Sequence, residues 1–114
     1  MAAGVKPRVK MPERAAAGAV ITIRTLISHR MESGQRRDAE GRLVPRSIIH
    51  RFRVVFVGAD GGVRPVIDID MGPGISTNPY FEFDTPLPGT GRFSFTWYDD
   101  DGAVYALDRD VQAE

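Results

Sequence analysis

Apolar and polar residues alternate with a period of two along most of this chain, the pattern of strands that turn one face to a core and the other to water. In Phe93-Ser94-Phe95-Thr96-Trp97-Tyr98, the residues Phe93, Phe95 and Trp97 share one face and Ser94, Thr96 and Tyr98 the other. From Tyr80 to Asp84, Phe81 and Phe83 lie opposite Glu82 and Asp84; from Val66 to Asp70, Ile67 and Ile69 lie opposite Asp68 and Asp70. Ile21, Ile23 and Ile27 likewise face away from Thr22, Arg24 and Ser28. The run from Ile48 to Val57 departs from this. Phe52, Val54 and Phe56 make one apolar face, while Ile49, Arg51, Arg53, Val55 and Val57 make the opposite face amphipathic. A central strand covered outside by a loop is the ordinary reading; the functional one is a protein–protein contact built on Val55 and Val57 with Ile49, Arg51 and Arg53 around them.

Turn-forming clusters separate the runs: Gly58 to Gly62, Gly72-Pro73-Gly74, Pro86 to Gly89, and Asp99-Asp100-Asp101-Gly102, all rich in residues that suit tight turns. With Lys6 to Met11 at one end and Ala103 to Val111 at the other, the pattern predicts an all-β chain of about seven strands, as in an immunoglobulin-like β-sandwich without its disulfide. Trp97 is expected in its core. Ala15-Ala16-Ala17 is too short for a helix and stops at Gly18, so it reads as a turn. From His29 to Pro45 no strand pattern holds. This stretch is either a long loop or two short strands around Asp38-Ala39-Glu40-Gly41, and loops of this length in compact domains are often functional.

At 114 residues the chain is the size of one domain, and residues 1–114 are expected to form a single unit. Fifteen basic and fifteen acidic residues leave no net charge, so no global field draws nucleic acid or an anionic membrane surface. No stretch approaches the roughly 18 apolar residues of a membrane span, and charges from Lys6 to Arg14 break up any export leader. Cysteine is absent, which excludes disulfides, thioesters, persulfides and thiolate-bound metal on this chain.

A nucleophile needs an activating base, and the chain has no cysteine and two histidines, His29 and His50. His50 falls on the predicted face of Phe52 and Val54, where a satisfied structural histidine is the ordinary reading. His29 enters the long loop. With no paired His or Cys beside it, a structural role outweighs that of ligand or base, and no cofactor is expected. Asp99-Asp100-Asp101-Gly102 suggests calcium, but Trp97 occupies the first ligand position of an EF-hand spacing, and a solvated acidic turn is the simpler expectation. Arg36, Arg37, Arg42 and Arg46, with Arg51 and Arg53, could bind an oxyanion, although Asp38 and Glu40 dilute their field. A stand-alone module for calcium or an oxyanion is therefore the alternative to a partner-binding subunit; an independent enzyme has no assembled residues to support it.

Pro7-Arg8-Val9-Lys10, Ile21 to His29, Met31-Glu32-Ser33-Gly34, Pro45-Arg46, Ile48-Ile49, Asn78 to Phe83 and Trp97 to Gly102 together resemble the SoxZ family, in the same order and at similar spacing. The resemblance implies a non-catalytic, immunoglobulin-like subunit that pairs as a heterodimer with SoxY. In that pair the C-terminal Gly-Gly-Cys-Gly-Gly arm of SoxY carries sulfur intermediates between the periplasmic Sox enzymes that oxidise thiosulfate. It also implies a periplasmic location by co-export with SoxY, which bears a twin-arginine signal, and transient contact with other Sox enzymes. His29, Met31 and Glu32 would form a docking loop. The family usually has proline after the histidine, where this chain has Arg30; proline would fix φ and withhold an N–H there.

Overall fold

The computed structural model describes residues 5–74 and 78–114, and no helix occurs among them. Eight strands follow in chain order: β1 (Pro7–Lys10), β2 (Arg14–Ala15), β3 (Val20–Ile27), β4 (Ile49–Gly58), β5 (Val63–Asp70), β6 (Tyr80–Pro86), β7 (Gly91–Asp99) and β8 (Val104–Ala113). They form a three-stranded sheet in the order β1-β3-β6 and a five-stranded sheet in the order β2-β8-β7-β4-β5. This is the expected all-β, immunoglobulin-like sandwich. The strand beyond the expected seven is β2, two residues that pair parallel with Gln112 and Ala113 of β8. The alternation signal cannot register so short a segment, and its second residue falls in the Ala15-Ala16-Ala17 stretch expected to be a turn.

The alternating runs bury the faces their sequence predicts. Ile21, Ile23, Ile27, Phe52, Val54, Phe56, Phe93, Phe95 and Trp97 are all inside. An aromatic stack joins the sheets: Trp97 and Phe52 of the large sheet lie 4.9 Å apart between centroids, and Phe52 stacks on Phe81 of the small sheet at 5.2 Å. With no disulfide, this burial is what holds the two layers together.

Parity fails at one place in β4. The register moves from Ile49 opposite Asp99 to Arg51 opposite Tyr98, so β4 advances two residues while β7 advances one. His50 is the extra residue of a β-bulge. The bulge turns Ile49 inward, where it is fully buried, and so corrects its expected place beside Arg51. It also takes His50 off the face of Phe52: its imidazole is 39% exposed, with Nδ1 3.1 Å from Asp100 Oδ1.

Close approach fixes Gly91, the first residue of β7. A Cβ there would lie 2.7 Å from Cζ of Phe56 and closer still to the carbonyl oxygen of Val57. The backbone cannot yield without disturbing the β4–β7 pairing, so Gly91→Ala is expected to destabilise the chain by about 2 kcal/mol, read as a lower urea midpoint at unchanged slope.

Candidate partner interface

The outward face of the five-stranded sheet gathers four rows across β5, β4, β7 and β8. Cross-strand register sets Arg51 beside Tyr98 and Val104, and Arg53 beside Thr96 and Ala106. It sets Val55 beside Ser94 and Asp108, and Val57 beside Arg92 and Asp110. On the β5 side, Asp70, Asp68, Pro65 and Val63 continue the same rows. Of the five residues expected at an interface, Arg51, Arg53, Val55 and Val57 therefore share one surface, and Ile49 lies beneath it.

Two of the three arginines on this face pair with its carboxylates. Arg51 grips Asp68 through two hydrogen bonds, Nε to Oδ1 at 2.8 Å and Nη2 to Oδ2 at 2.6 Å. Those bonds and the neighbouring charge hold the Asp68 carboxyl below its usual range and raise the guanidinium above its own. The Arg51 guanidinium also lies 5.3 Å from the ring centre of Tyr98, within cation–π range. Arg92 donates to Asp110 at 2.9 Å, and the Ser94 hydroxyl to Asp108 at 2.6 Å. Between these pairs stand half-buried Val55, Val57 and Tyr98 with exposed Ala106, Val104 and Val63. Paired charges among exposed apolar side chains make a surface that costs less to desolvate than one of free charges. On the outward face of the small sheet Arg24 pairs with Glu82, Thr22 donates to Asp84, and Arg8 and Lys10 flank them, with Val20 and Tyr80 exposed at its ends.

The stretch after β3 is a short hairpin, the second of its two expected forms. Glu32 and Ser47 exchange backbone hydrogen bonds, Arg37 and Leu43 form a second bridge, and the chain reverses from Asp38 to Gly41. The Asp38 side chain accepts the N–H groups of Glu40 and Arg42 across that turn.

The base of the hairpin is gripped by Asp99-Asp100-Asp101. Oδ2 of Asp99 lies 3.2 Å from Nε2 of His29 and accepts the Tyr105 hydroxyl at 2.8 Å, while Oδ1 accepts the N–H groups of Asp101 and Ala103. Asp100 accepts both guanidinium arms of Arg46 and the N–H of Ile48. Asp101 accepts the Ser47 hydroxyl. Burial alone pushes the Asp99 carboxyl up; the bonds from Tyr105, Ala103, His29 and Asp101 outweigh it and leave it below its usual value. Burial likewise pushes the Asp100 carboxyl up, and the bonds from Arg46 and Ile48 outweigh it and leave it below its usual value. An ionised carboxylate accepts and cannot donate, so the proton shared with His29 sits on Nε2.

These contacts bear on three readings of the sequence: the acidic turn, the arginines and the docking loop. The acidic turn is solvated only at its end: Asp99 is 3% exposed and Asp100 half-buried, while Asp101 is exposed and accepts the Ser47 hydroxyl. Its oxygens face separate partners and do not converge on one point; among the described residues no group of three or more acidic, His or Cys side chains is placed to hold a metal ion. The arginines do not form an oxyanion cluster: Arg36 holds Glu32, Arg37 holds the Gly41 carbonyl, and Arg46 holds Asp100. Within the expected docking loop, His29 is buried and Met31 packs against the core. The Glu32 carboxylate is bound by Arg36. These three residues build the hairpin's base. Tyr98, Val104 and Ala106 join the valines on this face; the parity of β7 puts Tyr98 outward, and the register sets it beside Arg51.

Fold and surface together define an immunoglobulin-like β-sandwich whose larger sheet presents paired charges among apolar side chains. The family model described as "Sulphur oxidation protein SoxZ" matches residues 9–108. The chain belongs to that family, and so to Sox-type sulfur oxidation. Comparison with curated proteins gave no match. Among solved structures, the chain is similar to a superoxide reductase (neelaredoxin) from Ignicoccus hospitalis, with 16% identity, a TM-score of 0.68, and coverage of 96% of this chain and 82% of that one. It is also similar to the sulfur carrier protein SoxY from Chlorobium limicola f thiosulfatophilum, with 16% identity, a TM-score of 0.59, and coverage of 95% and 78%. At such identities the likeness is one of fold.

Proposed function

We propose that this chain is the non-catalytic half of a periplasmic sulfur-carrier heterodimer. Its partner is a SoxY-like protein whose cysteine carries the sulfur intermediates of thiosulfate oxidation, and the pair docks transiently with other Sox enzymes. The SoxZ family match over residues 9–108 carries this reading. The absence of cysteine supports it, since carried sulfur needs a thiol from another chain. The outward face of the large sheet supplies the pairing surface, and export follows as a passenger of the partner.

Coexpression with a SoxY-like partner bearing its twin-arginine leader tests this. The two chains are expected to leave the periplasmic fraction as one complex that survives dilution to low micromolar concentration. Separate elution at micromolar concentration, or sulfur-compound turnover by the isolated chain, would overturn the proposal.

A further inference from the structure

Arg53 helps to lower the Asp68 carboxyl through space but makes no direct contact with it. It is exposed in the middle of β4 and forms no hydrogen bond or ion pair among the described residues. The carboxylate opposite it in the register, Asp68, is already held through both oxygens by Arg51. The remaining arginine of the face, Arg92, is paired with Asp110. On the β7 and β8 side its row is uncharged, with Thr96 and Ala106, and Val55 and Tyr98 stand in the rows on either side; the nearby Asp68 and Asp108 are held by Arg51 and Ser94.

A guanidinium buried without a partner costs several kcal/mol, more than neighbouring apolar contacts readily offset. A second copy of this chain does not supply what is missing in a contact centred on Arg53. With the two-fold axis through that residue each patch meets itself, and Arg53 faces Arg53. Like charges set against each other suppress such a pairing. A carboxylate can accept two parallel N–H bonds from the guanidinium. We infer that Arg53 makes this face select a non-identical protein partner, one that presents a carboxylate within an otherwise uncharged sheet surface. The inference rests on the heterodimer proposed above and specifies what its other half must offer.

The affinity of the full-length chain for its coexpressed SoxY-like partner, measured by calorimetry, tests it. Arg53→Glu is expected to weaken binding at least about thirty-fold, the loss typical when one member of a buried charge pair is removed. Arg53→Gln, which keeps much of the side chain's length without its charge, is expected to fall between wild type and Arg53→Glu. Both variants should keep the wild-type melting temperature, because the side chain is exposed. If the wild-type chain binds and both variants bind within threefold of it, the inference fails while the proposed function stands. If the wild-type chain does not bind, both fail.

Discussion

Asp99→Ala is expected to destabilise the chain by about 4 kcal/mol, since it strips several buried groups of their acceptor at once. The Tyr105 hydroxyl and His29 Nε2 lose Oδ2, and the Asp101 and Ala103 amides lose Oδ1. His29 Nδ1 already has no hydrogen-bond partner among the described residues, so the buried ring would be left with neither nitrogen paired. Urea denaturation reads the loss. Hydrogen exchange should localise it, with the Glu32 and Ser47 amides at the hairpin base losing protection first. The sign of the pH dependence follows from the lowered values at Asp99 and Asp100. A carboxyl depressed in the folded state contributes stability that is fully present above its unfolded value, near 3.9, and is lost as pH falls through the folded value. Wild type should therefore weaken below about pH 4, and Asp99→Ala should lose less over the same interval. Equal acid slopes in the two proteins would refute this account of the turn.

Val55→Asp is expected to weaken pairing with the partner at least about a hundred-fold, because it buries a charge that the interface was not built to receive. Val55 is half-buried, with Ser94 beside it and Asp108 one strand further. The Ser94 hydroxyl already donates to Asp108, so a new carboxylate would meet a committed donor and a like charge. Val57→Asp should cost less, since Arg92 is its neighbour on β7 and could take a second carboxylate. The order of the two losses is itself diagnostic. Wild-type affinity in both variants, with the fold intact by melting temperature, would move the interface off this face.

Strict alternation made much of this architecture legible in advance. Phe93, Phe95 and Trp97 are buried where period two puts them, and Phe81, Phe83, Ile67 and Ile69 turn inward opposite their acidic neighbours. The same parity, carried one step past Trp97, already pointed the Asp99 carboxylate inward. A cluster of three aspartates reads as solvated unless the position of its first member is followed through, and the long-range partners, His29 and Arg46, have no local signature. Ile49 was misplaced for a different reason. A bulge adds one residue to one strand, and nothing in Ile48-Ile49-His50-Arg51 marks where the extra residue falls. The interface was legible only as far as Arg51, Arg53, Val55 and Val57. Val104 and Ala106 join them through a strand whose inward positions include the exposed, charged Arg109, which blurs its pattern.

The aspartate turn also separates two kinds of change that the chain can undergo. It grips both feet of the hairpin, at His29 and at Arg46 and Ser47, so the thirteen or so positions between Ser33 and Pro45 behave as an interchangeable cassette. Lengthening or shortening the tip reaches the sandwich mainly through loop-closure entropy, about 0.6 kcal/mol per doubling of length. What this projection touches can therefore change while the framework beneath it stays the same.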